Sequence, residues 1–338
     1  MTQQNLSQGR IRLSDVARMA GVSTATVSRV LSNPGLVAEA TRSAVTQAVR
    51  DSGYRMNRAA QNLRKGRTGA VVALVPNLGN PFFAKILDGM GRELAAAGYD
   101  LLVADTLDPS SLSNSLLHFL DPSRADGIIL LDGRASPAQL TPAPDLPPVV
   151  LACEWVEDVT LPRVMLDNQM GGRLAVAHLR ALGHLHIGII GGPPDNVLHR
   201  ARLEGAIAAI GDARLTLLPG DFSLNAGQAA SVMWLSMPEP ERPRAVFAFS
   251  DEMACAFIAN LMRAGHAVPG EVSVVGFDDI ELASHLMPAL TTIHQPKRDI
   301  GRKAAQVVLG AIAGQPVAAV TRLEPRLMLR ETTAPPRT

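Results

Sequence analysis

LSDVARMAGVSTATVSRVLSNP, Leu13 to Pro34, is the stretch whose reading decides this 338-residue chain. Ser14 reads as the cap of a first helix, with Asp15 in its first turn, where the positive helix end favours a carboxylate. Val16, Ala17 and Ala20 share one face, and Gly21 supplies the left-handed residue that ends the helix. Ser23 caps a second helix whose Val27, Val30 and Leu31, at i, i+3 and i+4, turn inward. The opposite face carries Thr24, Ala25, Ser28 and Arg29. Small polar residues around one Arg suit a DNA major groove, because the helix can approach closely and a guanidinium pairs bidentately with guanine O6 and N7. Asn33-Pro34-Gly35 closes the unit, and a third helix from about Glu39 to Asp51 turns Val45, Ala48 and Val49 inward. The result is an all-α helix-turn-helix head; a plain helical hairpin would need neither so short an outer face nor so much Arg.

Charge supports that reading. Residues 1–67 hold eleven Lys/Arg against three acids, a net of +8, and the remainder holds 21 bases against 28 acids, a net of −7. A basic head on an acidic body points to a polyanionic partner for the head.

The same stretch resembles the helix-turn-helix of the lactose-repressor family, and VSTATVSR lies closest to its cytidine-repressor branch. The likeness continues through Gly53-Tyr54 to the end of the chain. It implies that Thr24, Ala25 and Arg29 reach base edges while Ser23, Thr26, Ser28 and Asn33 touch phosphates. Two departures stand out: Ala38 replaces the usual Ser or Thr cap of the third helix, and Met56 replaces a frequent Pro. Residues 57–67, NRAAQNLRKGR, have spacing for one or two helical turns only, too short to be stable alone in water. Taken alone they read as a basic tether. The resemblance makes them a hinge helix that folds in the minor groove, with Asn57, Ala60 and Arg64 at the DNA and Leu63 wedging a base step.

From Ala70 the pattern alternates. Val71–Val75, Leu101–Ala104, Gly127–Leu131, Val149–Ala152, Ile187–Ile190, Ala245–Phe249 and Val272–Gly276 read as buried parallel strands. Helical periods at Phe82–Ala97, Met170–Leu182, Ala201–Ile210, Ala226–Leu235, Met253–Ala264 and Ile300–Ile312 separate them. Such alternation gives α/β structure: two doubly wound parallel-sheet lobes, like a periplasmic binding protein. The resemblance divides the chain into a head (1–56), a hinge (57–68), an effector-binding and dimerisation core (69–333) and a tail (334–338). It assigns about 69–166 and 297–322 to an N-lobe, and about 167–296 and 323–333 to a C-lobe.

Ligands of such sheets lie beyond the carboxyl ends of strands. That rule names Asn80 to Phe83, Cys153, Glu154, Asp195, Asn196, Arg202, Ser250, Asp251, Asp278 and Asp279, with Phe222 in a separate loop. An Arg, several carboxylates and aromatic faces suit a polyhydroxylated ring. Weighed with the resemblance, the expected effector set is Phe82, Phe83, Glu154, Asn196, Arg202, Phe222, Ser250 and Asp278. Asp251 and Asp279 also read as helix caps. Phe83 and Phe222 match aromatic positions that contact a flat base in the purine-repressor branch, which puts a nucleoside ahead of a sugar or polyol as effector.

Other classes are disfavoured. There is no G-x-G-x-x-G, P-loop or G-x-S-x-G motif, so an enzyme is not expected and no catalytic residue is named. No cofactor is expected. His184 and His186 read as loop histidines, not a metal site, and Cys153 and Cys255 match no zinc or disulfide spacing. No apolar run spans a membrane, and the first residues carry no signal-peptide core, which argues for the cytoplasm and against a periplasmic binding protein. The resemblance implies a homodimer on a pseudo-palindromic operator, because the Pro-rich end lacks the heptad helix that joins the family's tetramers.

Overall fold

The computed structural model describes residues 11–54, 67–141, 143 and 145–337. They fall into two compact units, a head within residues 1–66 and a body that begins at Arg67.

The head is three helices: α1 (Leu13–Ala20), α2 (Thr24–Ser32) and α3 (Glu39–Ser52). Val16, Ala17, Val27, Val30, Val45 and Ala48 form its core. A buried Val contributes roughly 1.5–3 kcal/mol, so this small core leaves the head dependent on good ends. Gly21 ends α1 with φ +66°, and Ser23 Oγ accepts the Thr26 amide at 3.1 Å to start α2. The first helix corrects the expectation for Ser14, which lies inside the first turn. Asp15 closes back on the Arg12 amide at 2.9 Å, so the helix starts earlier. Ala38 precedes α3 and supplies no side-chain cap.

The body holds two six-stranded sheets. The first uses β1 (Ala70–Val75), β2 (Asp100–Asp105), β3 (Gly127–Leu130), β4 (Val149–Ala152) and β5 (Arg163–Leu166), and is completed by β11 (Val320–Leu323) in the order β11-β5-β4-β3-β1-β2, all parallel. The second uses β6 (His186–Ile190), β7 (Arg214–Leu218), β8 (Ala245–Ala248), β9 (Ser273–Asp278) and β10 (Thr291–His294), and is completed by β12 (Arg326–Met328) in the order β12-β10-β9-β8-β6-β7. Only the β10–β12 pair is antiparallel. The chain crosses between sheets three times: between Leu166 and Asn168, between His294 and Lys297, and between Leu323 and Arg326.

Helices α4 (Pro81–Ala96) and α5 (Pro109–Phe119) connect strands of the first sheet; α6 (Asn168–Ala181), α7 (Val197–Ile210), α8 (Leu224–Ser236) and α9 (Asp251–Arg263) serve the second; α10 (Lys297–Ile312) returns to the first. Strand β1 shows why the sheet is two-faced. Val72 and Leu74 enter one cluster with Leu112 and Leu116 of α5, while Val71, Ala73 and Val75 join the large core that includes Ile86 and Met90 of α4. The expectation of a buried strand at Leu101–Ala104 is corrected. The strand is a sheet edge, with Leu102 and Val103 exposed, because no strand pairs beyond it among the described residues.

In each lobe a helix pair meets at glycines. A Cβ on Gly172 of α6 would lie 2.1 Å from the Arg202 carbonyl oxygen, and one on Gly205 of α7 would lie 1.8 Å from that of Gln169. Gly89 and Gly301 play the same part between α4 and α10. Backbones can approach this closely only without side chains, and the approach brings the first turns of α7 and α10 toward the region between the sheets.

His186 opens β6 rather than lying in a loop, bonding Thr216 at 2.8 Å. His184 is buried against Ser273 and the Ala334 carbonyl, at 3.2 and 3.0 Å, so the segment at Ala334 packs on the second sheet. Among the described residues no helix is long and apolar enough to cross a membrane, and both cysteines are free.

Candidate DNA-reading face and effector cleft

On the head, Leu13, Thr24, Ala25, Ser28, Arg29, Ser32 and Asn33 line one open groove. Thr24, Ala25 and Arg29 are exposed, and the Arg29 side chain makes no hydrogen bond or ion pair among the described residues. Its guanidinium is therefore available to a partner. Five of the seven head residues named from sequence share this groove. The other two are committed to the helix end: Ser23 Oγ caps α2 and also meets Thr26 Oγ1 at 2.9 Å. Asn57, Ala60, Leu63 and Arg64 lie outside the described residues.

In the body, a cavity of about 250 Å³ opens between the carboxyl ends of the two sheets. All eight expected effector residues line it: Phe82, Phe83 and Glu154 from the first lobe, and Asn196, Arg202, Phe222, Ser250 and Asp278 from the second. Helix starts deliver most of them. Asn80 caps α4 through the Phe82 amide (2.8 Å), with Pro81 pre-set at the first helical position, and so holds the edge-to-face Phe82–Phe83 pair at the rim. Asn196 caps α7 through the Leu198 amide at 2.8 Å, leaving its side-chain amide to donate to Glu154 Oε1 at 3.2 Å.

Arg202 is the buried cation of the cleft. Its Nε donates to Asn168 Oδ1 at 2.9 Å, its Nη1 donates to the Phe249 carbonyl, and its guanidinium lies 3.7 Å over the Phe277 ring. Nη2 has no partner among the described residues and remains a donor for a ligand. Burial pulls the Arg202 pKa down, and the Asp278 charge works against that pull. Burial pushes the Asp278 carboxyl up, opposed by Arg202 and Lys297; Gln295 Nε2 donates to its Oδ1 at 2.7 Å. Burial also raises Glu154, although the Gly133 amide (2.8 Å) and Asn196 stabilise its charge.

Phe222 sits in left-handed backbone at φ +71°. Its ring occupies the space a Gly192 side chain would need, and Ser250 Oγ donates to its carbonyl at 3.1 Å while accepting the Met253 amide at 3.2 Å. The Ser250 hydroxyl is thus spent on holding Phe222 and capping α9. Asp251 and Asp279 are not helix caps. Asp251 is buried and accepts from Thr292 Oγ1 at 2.5 Å and the Ile280 amide at 2.8 Å, since Ser250 already caps α9. Asp279 bonds His294 at 2.8 Å and Arg330 at 2.6 Å.

Sequence reasoning missed Asn77, Leu107, Asp132, Arg134, Leu198 and Glu252 of the lining. The strand-end rule, applied to β3 as it was to its neighbours, would have named Asp132 and Arg134. Arg134 forks onto Asp132 at 2.9 and 2.7 Å, and Thr106 Oγ1 donates to the same carboxylate at 2.6 Å. Among the described residues no cluster of three or more His, Cys, Asp or Glu is arranged to hold a metal ion.

A helix-turn-helix with an exposed Arg on its open face in one unit, and a ligand-sized cleft in the other, are the parts of a ligand-responsive DNA-binding regulator. Comparison with known proteins agrees. Residues 12–57 match the model of bacterial regulatory proteins of the lacI family, and residues 176–333 match a periplasmic binding protein-like domain. The HTH-type transcriptional repressor CytR of Escherichia coli (strain K12) is 36% identical over 95% of this chain and 96% of its own length. The repressor PurR of Aliivibrio fischeri (strain MJ11) is 36% identical over 89% and 91%. Among solved structures, the lac repressor dimer bound to operator and the anti-inducer ONPF matches 96% of this chain and 100% of its own, with 27% identity and a TM-score of 0.84. The regulator CelR in complex with cellobiose matches 96% and 100%, with 33% identity and a TM-score of 0.70. The chain belongs to the lacI family of bacterial regulatory proteins. It is a DNA-binding transcription regulator with an effector-binding domain, not an enzyme.

Proposed function

We propose that the protein is a cytoplasmic, homodimeric repressor whose hold on a pseudo-palindromic operator is set by an unphosphorylated nucleoside bound between its lobes. The observation that carries this reading is the convergence of all eight expected effector residues on one cleft. Its lining includes Asp132, Glu154, Asp221, Glu252 and Asp278 against only Arg134 and Arg202. An excess of carboxylates in a partly desolvated cavity repels a phosphate. It accepts hydrogen bonds from hydroxyls, and the free Nη2 of Arg202 beside Asp278 suits a vicinal diol. Aromatic rings from both lobes offer a flat base contacts that a single-faced pyranose uses less fully.

Thr24, Ala25 and Arg29 would read base edges, with Ser23, Thr26, Ser28 and Asn33 at phosphates, Asn57, Ala60 and Arg64 of the hinge at the DNA, and Leu63 as the wedge. The head is taken as residues 1–56, the hinge as 57–68 and the two-lobed core as 69–333. The exposed edge of β2, with Leu102 and Val103, supports pairing of two bodies. Effector binding closes the lobes and shifts the marginal hinge between folded and unfolded, so operator DNA must change effector affinity by the same factor.

A relative from Enterococcus faecium with bound ribose, 27% identical with a TM-score of 0.71, supports a free sugar as the second reading. Calorimetric titration with nucleosides, sugars and their phosphates, with and without operator duplex, tests both. Heat from a hexose but from no nucleoside overturns the nucleoside reading, and an affinity indifferent to operator overturns the switch.

A further inference from the structure

Lys297 is the first residue of α10, where the chain has just returned from the second sheet to the first. It is only 8% exposed, although nothing in the sequence marked it as a site residue. Its Nζ donates to the carbonyl of Asp278, to that of Asp279 at 2.7 Å, and approaches that of Gln295 at 3.5 Å. An ammonium has three donors, and here each faces a carbonyl.

The turn it holds is unusual. Asp278 has φ +117° and Asp279 φ +53°, and consecutive left-handed residues with side chains persist only where their surroundings hold them. Asp278 ends β9 with its carboxylate in the cleft; the carboxylate is tied by Gln295 and the peptide by Lys297. The charges that face Lys297 are Asp278, Asp279 and Asp251, which favour the ammonium, and Lys85, which opposes it. A buried ammonium is costly to desolvate; its three carbonyl partners offset that cost, and an apolar side chain here would leave those oxygens without their donor.

We propose that Lys297 is a positioning residue of the cleft: anchored on a helix of one lobe, it holds the reversed Asp278-Asp279 turn of the other and so sets the Asp278 carboxylate. This deepens, and rests on, the effector reading above. Because holder and turn belong to different lobes, the placement of Asp278 is tied to how the lobes meet.

The test uses the full chain as wild type, Lys297→Met, Lys297→Arg and Gln295→Met. Cytidine, adenosine, ribose and cellobiose are the calorimetric probes, and amide hydrogen exchange is followed in the ligand-free protein. Lys297→Met should weaken every probe that the wild type binds by tenfold or more. It should also speed exchange in the segment 278–281 while β6 and β8 keep their protection. Lys297→Arg should restore both. Gln295→Met, which frees only the carboxylate, should weaken the probes with exchange in 278–281 unchanged, and it keeps the ligand arm decisive if Lys297→Met fails to fold. Unchanged affinity in Lys297→Met, or exchange as slow as in wild type, overturns the proposal. A wild type that binds none of the probes refutes the effector reading instead, and the exchange measurement still decides whether Lys297 holds the turn.

Discussion

Glu154 of one lobe accepts a hydrogen bond from the side-chain amide of Asn196 in the other, 3.2 Å across the mouth of the cleft. Two ion pairs also bridge the lobes, Arg200–Glu157 at 2.8 Å and Lys85–Glu281 at 2.9 Å, but their side chains are well exposed. Exposed pairs contribute roughly 0–1 kcal/mol, so the shielded Glu154–Asn196 bond is the stronger latch. Asn196→Asp is the selective probe, because Asp still caps α7 while setting a carboxylate against Glu154. The expected result is a larger radius of gyration by small-angle scattering and effector affinity reduced tenfold or more. An unchanged radius would show that this bond does not hold the lobes together.

Arg202→Met removes the buried guanidinium and strands the Asn168 and Phe249 oxygens it serves. Loss of a buried, hydrogen-bonded cation should cost about 2–4 kcal/mol in urea unfolding. Arg202→Lys should recover little of this, since an ammonium cannot reproduce the planar stack on Phe277 together with two directed bonds. Full recovery by Lys would mean that charge alone matters at this position.

The proposed base-reading role of Arg29 is testable. Arg29→Ala should cost about 1–3 kcal/mol on the operator and relax preference at one base pair per half-site, measured by competition with duplexes substituted singly along the site. An equal loss on random DNA would reassign Arg29 to phosphate.

Asp279 gives a pH signature. Burial works to raise its pKa, yet the hydrogen bonds from His294 and Arg330 prevail and hold it at about 2. An unfolded Asp titrates near 3.9. The group therefore contributes stability that is complete above about pH 4 and is lost as pH falls through about 2. At full strength that difference corresponds to about 2–3 kcal/mol, and solvent screening of this half-buried carboxylate reduces the contribution to roughly 1–2 kcal/mol. Asp279→Asn should lower the melting temperature at pH 6 and converge with wild type toward pH 2. A gap that stays constant with pH would place the contribution elsewhere.

Gly205→Ala puts a methyl group where the Gln169 carbonyl oxygen now sits. Backbone cannot yield as a side chain can, so α6 and α7 must separate. The expected loss is about 1–3 kcal/mol in unfolding, with effector affinity falling as well because α7 carries Arg202. Wild-type affinity in a destabilised Gly205→Ala protein would uncouple the crossing from the site.

Much of the fold could be read along the chain. The helix-turn-helix is written in local spacing, with Gly21 at the turn and Ser23 at the cap, and the strands of each lobe's centre are continuous β-branched runs. The strands overlooked are those where local signal fails. In β10 the buried residues include Thr291 and Thr292, whose hydroxyls are satisfied by Asp251 and by the segment around Thr332 and Thr333. In β7 the burial is partial, as befits a sheet edge. Helix α5 turns Leu112, Leu116 and Phe119 inward, but four serines, an Asn and an exposed Leu117 between and around them blur the apolar stripe.

The cleft divides the same way. Phe82, Glu154, Asn196, Ser250 and Asp278 were legible because each stands at or just past the end of a parallel strand, and residues there face the ligand end of the sheet. Sequence by itself determined which residues stand at those strand ends and which small face of the second helix stays exposed, because both depend on neighbours a few residues away. Only the tertiary structure decided that Asn196 meets Glu154, that Arg202 stacks on Phe277, and that Lys297 reaches back to Asp278 and Asp279. Those pairs join segments 18 to 75 residues apart. Their distances are set by sheet order and by helices that meet through Gly172 and Gly205 or Gly89 and Gly301, which no local pattern encodes.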